Sequence, residues 1–116
     1  MSAVPRLKRR PEFLKVAATR KKWVAPGLIL QVLKRGKEAT DTPARVGFTT
    51  SRKVGNAVMR NRARRRLRAA VDRVMGEHAR AGYDFVVIGR KVTLKRTFSS
   101  LVGDLETALK KMDAYR

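Results

Sequence analysis

The feature that most constrains this chain is a segment, residues 60–68, in which six of nine positions are arginine. Apolar residues run through and beyond it at helical spacing, i, i+4, i+7, i+8 and i+11, namely Ala63, Leu67, Ala70, Val71 and Val74. The pattern predicts a helix that docks one apolar stripe on a core. We expect it to run from about Ala57, after Asn56 as N-cap, to Ala81, where Gly82 ends it.

The arginines of this helix are expected to form two groups. Arg62, Arg65 and Arg66 should point away from the stripe, while Arg60, Arg64 and Arg68 should form a row along its edge. Like charges at this spacing repel by a few tenths of a kcal/mol per pair, so helix stability does not explain them. A solvated helix face is the alternative explanation. Because no acid interrupts the run, the cluster favours contact with a nucleic acid, whose phosphates suit the planar arginine fork.

Composition places the chain among folded, strongly cationic proteins. Its 116 residues fit a single domain, residues 1–116, with a basic N-terminal arm over residues 1–10 that could be mobile. Lysine and arginine number 29 against 9 acids, a net charge of +20, while 43% of the residues are hydrophobic. We expect this surface to bind anions such as sulfate or phosphate and to gain stability from them.

Cellular location is constrained by what the sequence lacks. There is no cysteine, hence no disulfide framework and no thiolate metal site, which is compatible with the cytoplasm. No apolar run is long enough for a membrane span, and the basic start is not followed by the apolar core of a signal peptide. We therefore expect a cytoplasmic protein with no membrane partner.

The remaining segments predict a small mixed fold. A short helix is expected within Pro5–Thr19, with Pro11 in its first turn, and a short strand near Trp23. Leu28–Leu33 and Arg45–Thr50 should pair as a hairpin across a surface loop, residues 36–43. Tyr83–Ile88 should be a buried strand, parallel to its predecessor because a long helix separates them. After Thr97 as N-cap, a last helix carries the apolar stripe Phe98, Leu101, Leu105, Leu109 and Met112.

Three further basic or aromatic features are candidates for binding. Arg52 and Lys53 precede the N-terminus of the arginine helix, whose free N–H groups also favour phosphate. Two more basic pairs, Lys21-Lys22 and Arg90-Lys91, could add contacts. Phe13 is either a core residue or a platform on which an unpaired base stacks.

Autonomous catalysis is not expected. The single histidine, His78, follows Glu77 on a helix, where adjacent side chains point about 100° apart. The nine acids are scattered, and no phosphate-binding loop, nucleophile elbow or zinc-protease motif occurs. We therefore predict no catalytic residue and no metal site in this chain, which would position nucleic acid while another component breaks the bond.

The order of several motifs points to a known family. They are Arg6-Leu7 and Phe13 near the start, Arg45-Val46-Gly47, the block from Arg52 to Arg68, and Gly89-Arg90-Lys91. Together they resemble the protein subunit of bacterial ribonuclease P over nearly the whole chain. The Arg-Asn-Arg signature of that family falls on residues 60–62, and it is far more specific than a generic basic helix.

The resemblance implies a fold and an activity. It implies a single α+β domain ordered αβββαβα, with a mainly parallel sheet and an unusual left-handed βαβ crossover. It also implies an RNA-binding subunit that assists a catalytic RNA in removing the 5′ leader of precursor tRNA. Hydrolysis would then depend on Mg²⁺ held mainly by the RNA.

The resemblance also implies site residues. Contacts to the catalytic RNA map onto Arg52, Lys53, Asn56, Arg60, Asn61, Arg62, Arg64, Arg65, Arg66 and Arg68. A cleft beside the first helix would take the single-stranded leader, with contributions from Phe13, Gln31, Arg9 and Arg10. Ala17 and Gln31 stand where relatives carry aromatics, so leader stacking is expected to be weaker unless Trp23 compensates.

Competing functions share the same composition. A ribosomal protein or an RNA chaperone can also be small, basic and α+β. DNA binding stays formally open, although the sequence has no zinc-ligand spacing or heptad repeat. If the chain increases the rate at which a catalytic RNA removes the leader, the ribonuclease P function is favoured over these alternatives.

Overall fold

A computed structural model describes residues 4–36 and 42–116. Its elements are α1 (Arg10–Ala18), β1 (Lys22–Val24), β2 (Leu28–Lys34), β3 (Arg45–Thr50), α2 (Ala57–His78), β4 (Tyr83–Gly89) and α3 (Phe98–Lys111). Short 3₁₀ helices, Arg52–Val54 and Lys91–Leu94, precede α2 and α3. The α+β class and the αβββαβα order are therefore confirmed. Most of the predicted surface loop, residues 37–41, lies outside the described residues.

The four strands form one sheet in the order β1-β2-β4-β3. β4 lies between β2 and β3, so the predicted β2–β3 hairpin is wrong. β3 runs parallel to β4, whereas β1 and β4 each run antiparallel to β2. The sheet is thus mixed and not mainly parallel. β4 suits the centre because both of its faces are apolar, while β3 places Arg45 and Thr49 on one face and suits an edge. The parallel β3–α2–β4 unit is confirmed, and the hand of its crossover stays a prediction.

Helices α2 and α3 cover one face of this sheet. Every residue of the predicted α2 stripe is at most 2% exposed, and Leu101, Leu105 and Leu109 of α3 are fully buried. Phe98 does not join this core, since it is 38% exposed at the first residue of α3. The side chains of Asn56 and Thr97 accept the N–H of Met59 and Ser100, which confirms both predicted N-caps.

Helix α2 ends at His78, three residues before the predicted end. Ala79 is extended and forms an isolated bridge with Tyr115, and the Arg116 N–H donates to the His78 carbonyl at 2.6 Å. The C-terminal segment therefore competes for the backbone that would have continued the helix. Gly82 has φ +80°, as expected of the residue that turns the chain into β4.

Helix α1 packs alone on the other face of the sheet. Its small cluster contains buried Leu7, Val16 and Val86, with Phe13 beside them. Trp23 lies on the opposite face, because it pairs with Leu30 of the main core and its ring faces the Lys111 ammonium at 5.7 Å. Trp23 therefore cannot replace an aromatic beside α1, which decides the question that the sequence left open.

Candidate nucleic-acid interface

The turn before α2 holds two cations beside the helix N-terminus. In the 3₁₀ segment, Ser51 Oγ accepts the N–H of Lys53 at 3.3 Å. Gly55 then takes φ +145°, where an added Cβ would meet the Met59 side chain, so glycine is required. Arg52 and Lys53 are both exposed. Their charges and the unpaired N–H groups of the first helical turn can act on the same anion.

The arginines of α2 differ in how far they are engaged within the protein. Arg62 and Arg65 are exposed, and neither forms a hydrogen bond or ion pair with the part of the chain that is described. Arg60 is half-buried, with Nη1 3.4 Å from the Gly55 carbonyl, while Arg64 donates to the Asn61 side chain. Arg62 and Arg65 thus keep every donor available for a ligand.

Arg66 does not point away from the apolar stripe, contrary to the prediction. It is half-buried, and its guanidinium donates to the carbonyl of Arg96, with Nε buried and unpaired. The reason is helical geometry: Arg66 follows Ala63 by three residues and precedes Leu67, so it borders the stripe. This side chain ties α2 to the segment before α3.

Arg90 is similarly engaged inside the protein. Its Nη1 donates to the Ala25 carbonyl at 2.7 Å, which joins the end of β4 to the turn between β1 and β2. Lys91, the second member of this basic pair, is exposed. Of the two, only the Lys91 side chain forms no hydrogen bond or ion pair with a described residue.

Asp104 of α3 is buried and binds the turn between β1 and β2. Asp104 accepts the Gly27 N–H at 3.0 Å and two hydrogen bonds from Arg96, at 3.1 and 2.8 Å. Thr93 Oγ1 donates to the Gly27 carbonyl at 2.6 Å. An added Cβ at Gly27 would come within 2.7 Å of the Asp104 carboxylate, so only glycine fits there. Sequence patterns gave no sign of this network, because its partners are distant in the chain.

Several cavities adjoin α1, and the first of these lies between α1 and α2. It has a volume of about 300 Å³ and is lined by Arg6, Leu7, Phe13, Phe48, Asn61, Arg64 and Arg68. The Phe13 ring sits over Gly47, where an added Cβ would approach within 2.5 Å. The Arg6 guanidinium lies 5.2 Å from the centre of the Phe48 ring. Phe48 was missed as a site residue, because a half-buried strand aromatic usually indicates core.

The second cavity lies at the C-terminal end of α1. It encloses about 290 Å³ and is lined by Ala17, Arg20, Lys21, Lys22 and Gln31. Phe13 and Ala17 are one helical turn apart, so the two cavities follow each other along α1. Arg9 and Arg10 are exposed at the opposite end of the helix. The structure therefore brings Gln31 together with Lys21 and Lys22, and Phe13 together with residues of α2.

An ion-pair network fixes α1 on the sheet. Arg45 donates to Asp84 through Nε at 2.9 Å and Nη2 at 2.8 Å, and to Glu12 through Nη1 at 2.9 Å. Hydrogen bonds from the N–H groups of Arg9 and Lys8 lower the pKa of the Glu12 carboxyl, and the Arg45 charge adds to this effect. The Asp84 carboxylate raises the pKa of Arg45 above its ordinary value. This network sets the position of α1 and hence of Phe13.

Within residues 4–36 and 42–116, no three or more histidine, cysteine or acidic side chains gather closely enough to share a metal ion. Over the same residues, no helix combines the length and the hydrophobicity needed to cross a bilayer.

Comparison with known proteins identifies the family. The family model described as Ribonuclease P matches residues 1–113. The chain belongs to this family. It is 59% identical to the ribonuclease P protein component of Paramagnetospirillum magneticum, over 94% of this chain and 83% of that one. The corresponding component of Gluconacetobacter diazotrophicus is 57% identical, over 91% and 89% of the two chains.

A solved structure supports the same assignment. The ribonuclease P protein of Thermotoga maritima superposes with a TM-score of 0.74 at 29% identity, covering 91% of this chain and 96% of that one. The resemblance drawn from the sequence is thereby confirmed. The chain is an RNA-binding protein subunit of a ribonucleoprotein endoribonuclease, and its partner is the ribonuclease P RNA.

Proposed function

We propose that this subunit binds precursor tRNA jointly with the ribonuclease P RNA and thereby assists removal of the 5′ leader. The observation that supports this most is the cavity between α1 and α2, because Phe13 of α1 and Arg68 of α2 both line it. A surface for a folded RNA and a cleft for a single strand are continuous there. One polynucleotide can therefore leave the catalytic RNA and run along α1.

The catalytic RNA is proposed to dock on α2 and the turn before it. The exposure of Arg52, Lys53, Arg62 and Arg65 supports direct phosphate contacts by these four side chains. Asn56 and Arg66 would serve the same surface indirectly, as the helix cap and as the link to the Arg96 carbonyl. Arg60, Asn61, Arg64 and Arg68 would face the RNA where it approaches α1.

The leader is proposed to lie beside α1. Phe13 is half-buried, so part of its ring is free to contact a base in the first cavity. Lys21, Lys22 and Gln31 would hold the strand in the second cavity, with Arg9 and Arg10 supplying charge at the other end of α1. Lys91 would add an outer contact.

The hydrolytic step is proposed to use Mg²⁺ held mainly by the RNA. Among the described residues, the buried carboxylates are those of Asp84 and Asp104, and each is bound by arginine, which supports a structural role for them. A tRNA-processing function also implies a cytoplasmic location. Both statements follow from the proposed reaction.

The test is leader cleavage in a reconstituted holoenzyme at low Mg²⁺. Arg62→Ala should weaken assembly with the RNA by about 1.5–3 kcal/mol, the range for a charge-assisted hydrogen bond. Arg73→Ala is the matched control, because it removes one exposed charge from the same helix about three turns further on. Equal effects of the two variants would show that only net charge matters and would overturn the assigned surface.

A further inference from the structure

The large apolar side chains that this protein exposes are concentrated at the starts of two helices. Among the described residues, six such side chains are at least 38% exposed. Two of them are Leu14 on α1 and Val24 on β1. The other four lie at the start of α2, in the 3₁₀ segment before α3, or at the start of α3, namely Val58, Met59, Val92 and Phe98. Exposed apolar side chains that gather in one region are a feature of binding surfaces.

The sheet topology places the starts of α2 and α3 at the same edge. β3 and β4 are parallel neighbours, and α2 follows the end of β3 while α3 follows the end of β4. Both helices therefore begin where the carboxyl ends of these strands lie. Arg66 joins the two helices, because its guanidinium donates to the Arg96 carbonyl, two residues before Phe98. The segment that leads into α3 is thus fixed against the arginine-bearing helix.

Phe98 is the aromatic member of this group, and it lies where the apolar stripe of α3 leaves the core. Leu101 and Leu105, three and seven residues further along the helix, are fully buried, whereas Phe98 is 38% exposed. The backbone around it is held, since Thr97 Oγ1 accepts the Ser100 N–H at 3.2 Å and caps the helix. An exposed ring on a fixed backbone loses little conformational freedom when a planar ligand stacks on it.

The charges around Phe98 favour an anionic partner. The stretch from Gly89 to Gly103 contains no acid and four cations. Arg90 and Arg96 bind groups of the protein, whereas Lys91 and Lys95 are exposed and their ammonium groups have no described partner. A second copy of this chain carries a charge of +20 and would be repelled from such a surface. An RNA would instead supply phosphates for the lysines and bases for the ring.

We propose that the start of α3 is a second docking point for the ribonuclease P RNA, at which an unpaired base stacks on Phe98 and Lys95 binds a nearby phosphate. Base stacking on an aromatic ring beside cations is a general mode of binding unpaired nucleotides. This docking point lies on the α2–α3 side of the sheet, whereas α1 packs on the other face. The proposal rests on the proposed function, because it requires the RNA to dock on α2 as well.

The experiment measures the Kd between this subunit and a bacterial ribonuclease P RNA in the absence of tRNA, so that no leader can contribute. Phe98→Leu keeps an apolar side chain but removes the ring, and should weaken binding about 10-fold, as the loss of one stacked base implies. Phe98→Tyr keeps the ring and should bind within about twofold of wild type. Leu14→Ala is the control, because it removes an exposed apolar side chain from α1, and it should change the Kd less than about twofold.

Two further readouts distinguish stacking from a loss of charge. The slope of log Kd against log salt should be unchanged in Phe98→Leu, because no phosphate contact is lost, whereas Lys95→Ala should make it shallower by about one. Chemical probing of the RNA should show one unpaired base that wild type and Phe98→Tyr protect and that becomes reactive in the complex with Phe98→Leu. A merely structural role of Phe98 would not expose a single base.

The outcomes separate this proposal from the proposed function. If Phe98→Leu binds like wild type while Arg62→Ala still weakens assembly, the second docking point alone is overturned. Equal losses for Phe98→Leu and Phe98→Tyr would also overturn it, because the ring would not matter. Self-association of the free subunit that Phe98→Leu abolishes would assign this surface to a second copy of the chain and exclude the RNA. An unchanged Kd for Arg62→Ala would instead overturn the RNA-binding surface on α2.

Discussion

Replacing Arg45 with methionine tests how α1 is held on the sheet. Arg45 bridges two carboxylates, and Asp84, the inner one, has a side chain only 4% exposed. Methionine keeps most of the aliphatic stem but leaves that buried carboxylate without its bidentate partner. Breaking a buried ion pair in this way costs about 3–5 kcal/mol.

Two features of the site reduce this figure. The Arg45 side chain is itself 33% exposed, so solvent screens part of the interaction. A second cation also remains, since Arg35 Nε lies 3.5 Å from Asp84 Oδ1. We therefore expect Arg45→Met to lower the free energy of unfolding by about 2–3 kcal/mol.

The assay is urea unfolding followed by circular dichroism at neutral pH and a fixed sulfate concentration. Arg62→Met is the matched control, because it removes the same charge from an exposed position without a described partner; it should change stability by less than about 0.5 kcal/mol. Adding Asp84→Asn to Arg45→Met should restore part of the loss, because the uncompensated charge is gone. A loss below about 0.5 kcal/mol for Arg45→Met, or no recovery in the double variant, would refute this reasoning.

Three other predictions concern binding and pH. Arg66→Ala should lower stability more than it lowers RNA affinity, the reverse of Arg62→Ala, and parallel melting and RNA-binding titrations would show this order. Phe13→Ala should weaken precursor tRNA relative to mature tRNA by about 1–3 kcal/mol if a base stacks there, whereas equal loss for both would indicate core damage. The pKa of Glu12 is lowered from 4.5, so its stabilisation is present above that pH and is lost as pH falls through the lower folded value. Melting curves of Glu12→Gln and wild type should therefore differ at neutral pH and converge in acid, and a constant difference would contradict this.

Local patterns predicted the helices well because their signals are local. The α2 stripe, the caps at Asn56 and Thr97, and the turn at Gly82 each depend on residues within one or two helical turns. Strand order was not accessible in this way. β2 and β3 are neighbours in the chain, yet β4 inserts between them, because a strand with two apolar faces is stabilised most at the centre of the sheet.

The candidate site shows the same limit. The density of arginine on α2 indicated RNA binding, but it did not show which arginines are free. Arg66 and Arg90 bind backbone carbonyls that are 30 and 65 residues away in the chain. The side of the sheet on which Trp23 lies was decided by its register with Leu30, and no periodicity in a three-residue strand reports this. Long-range pairing decided each of these points.

The most direct test of the central claim is the rate of 5′ leader removal from precursor tRNA at low Mg²⁺, measured for the RNA alone, for this subunit alone, and for the two together. The account predicts no cleavage by the subunit alone and faster cleavage by the pair than by the RNA. Cleavage by the subunit without RNA, or an RNA rate that is unchanged when the subunit is added, would contradict it.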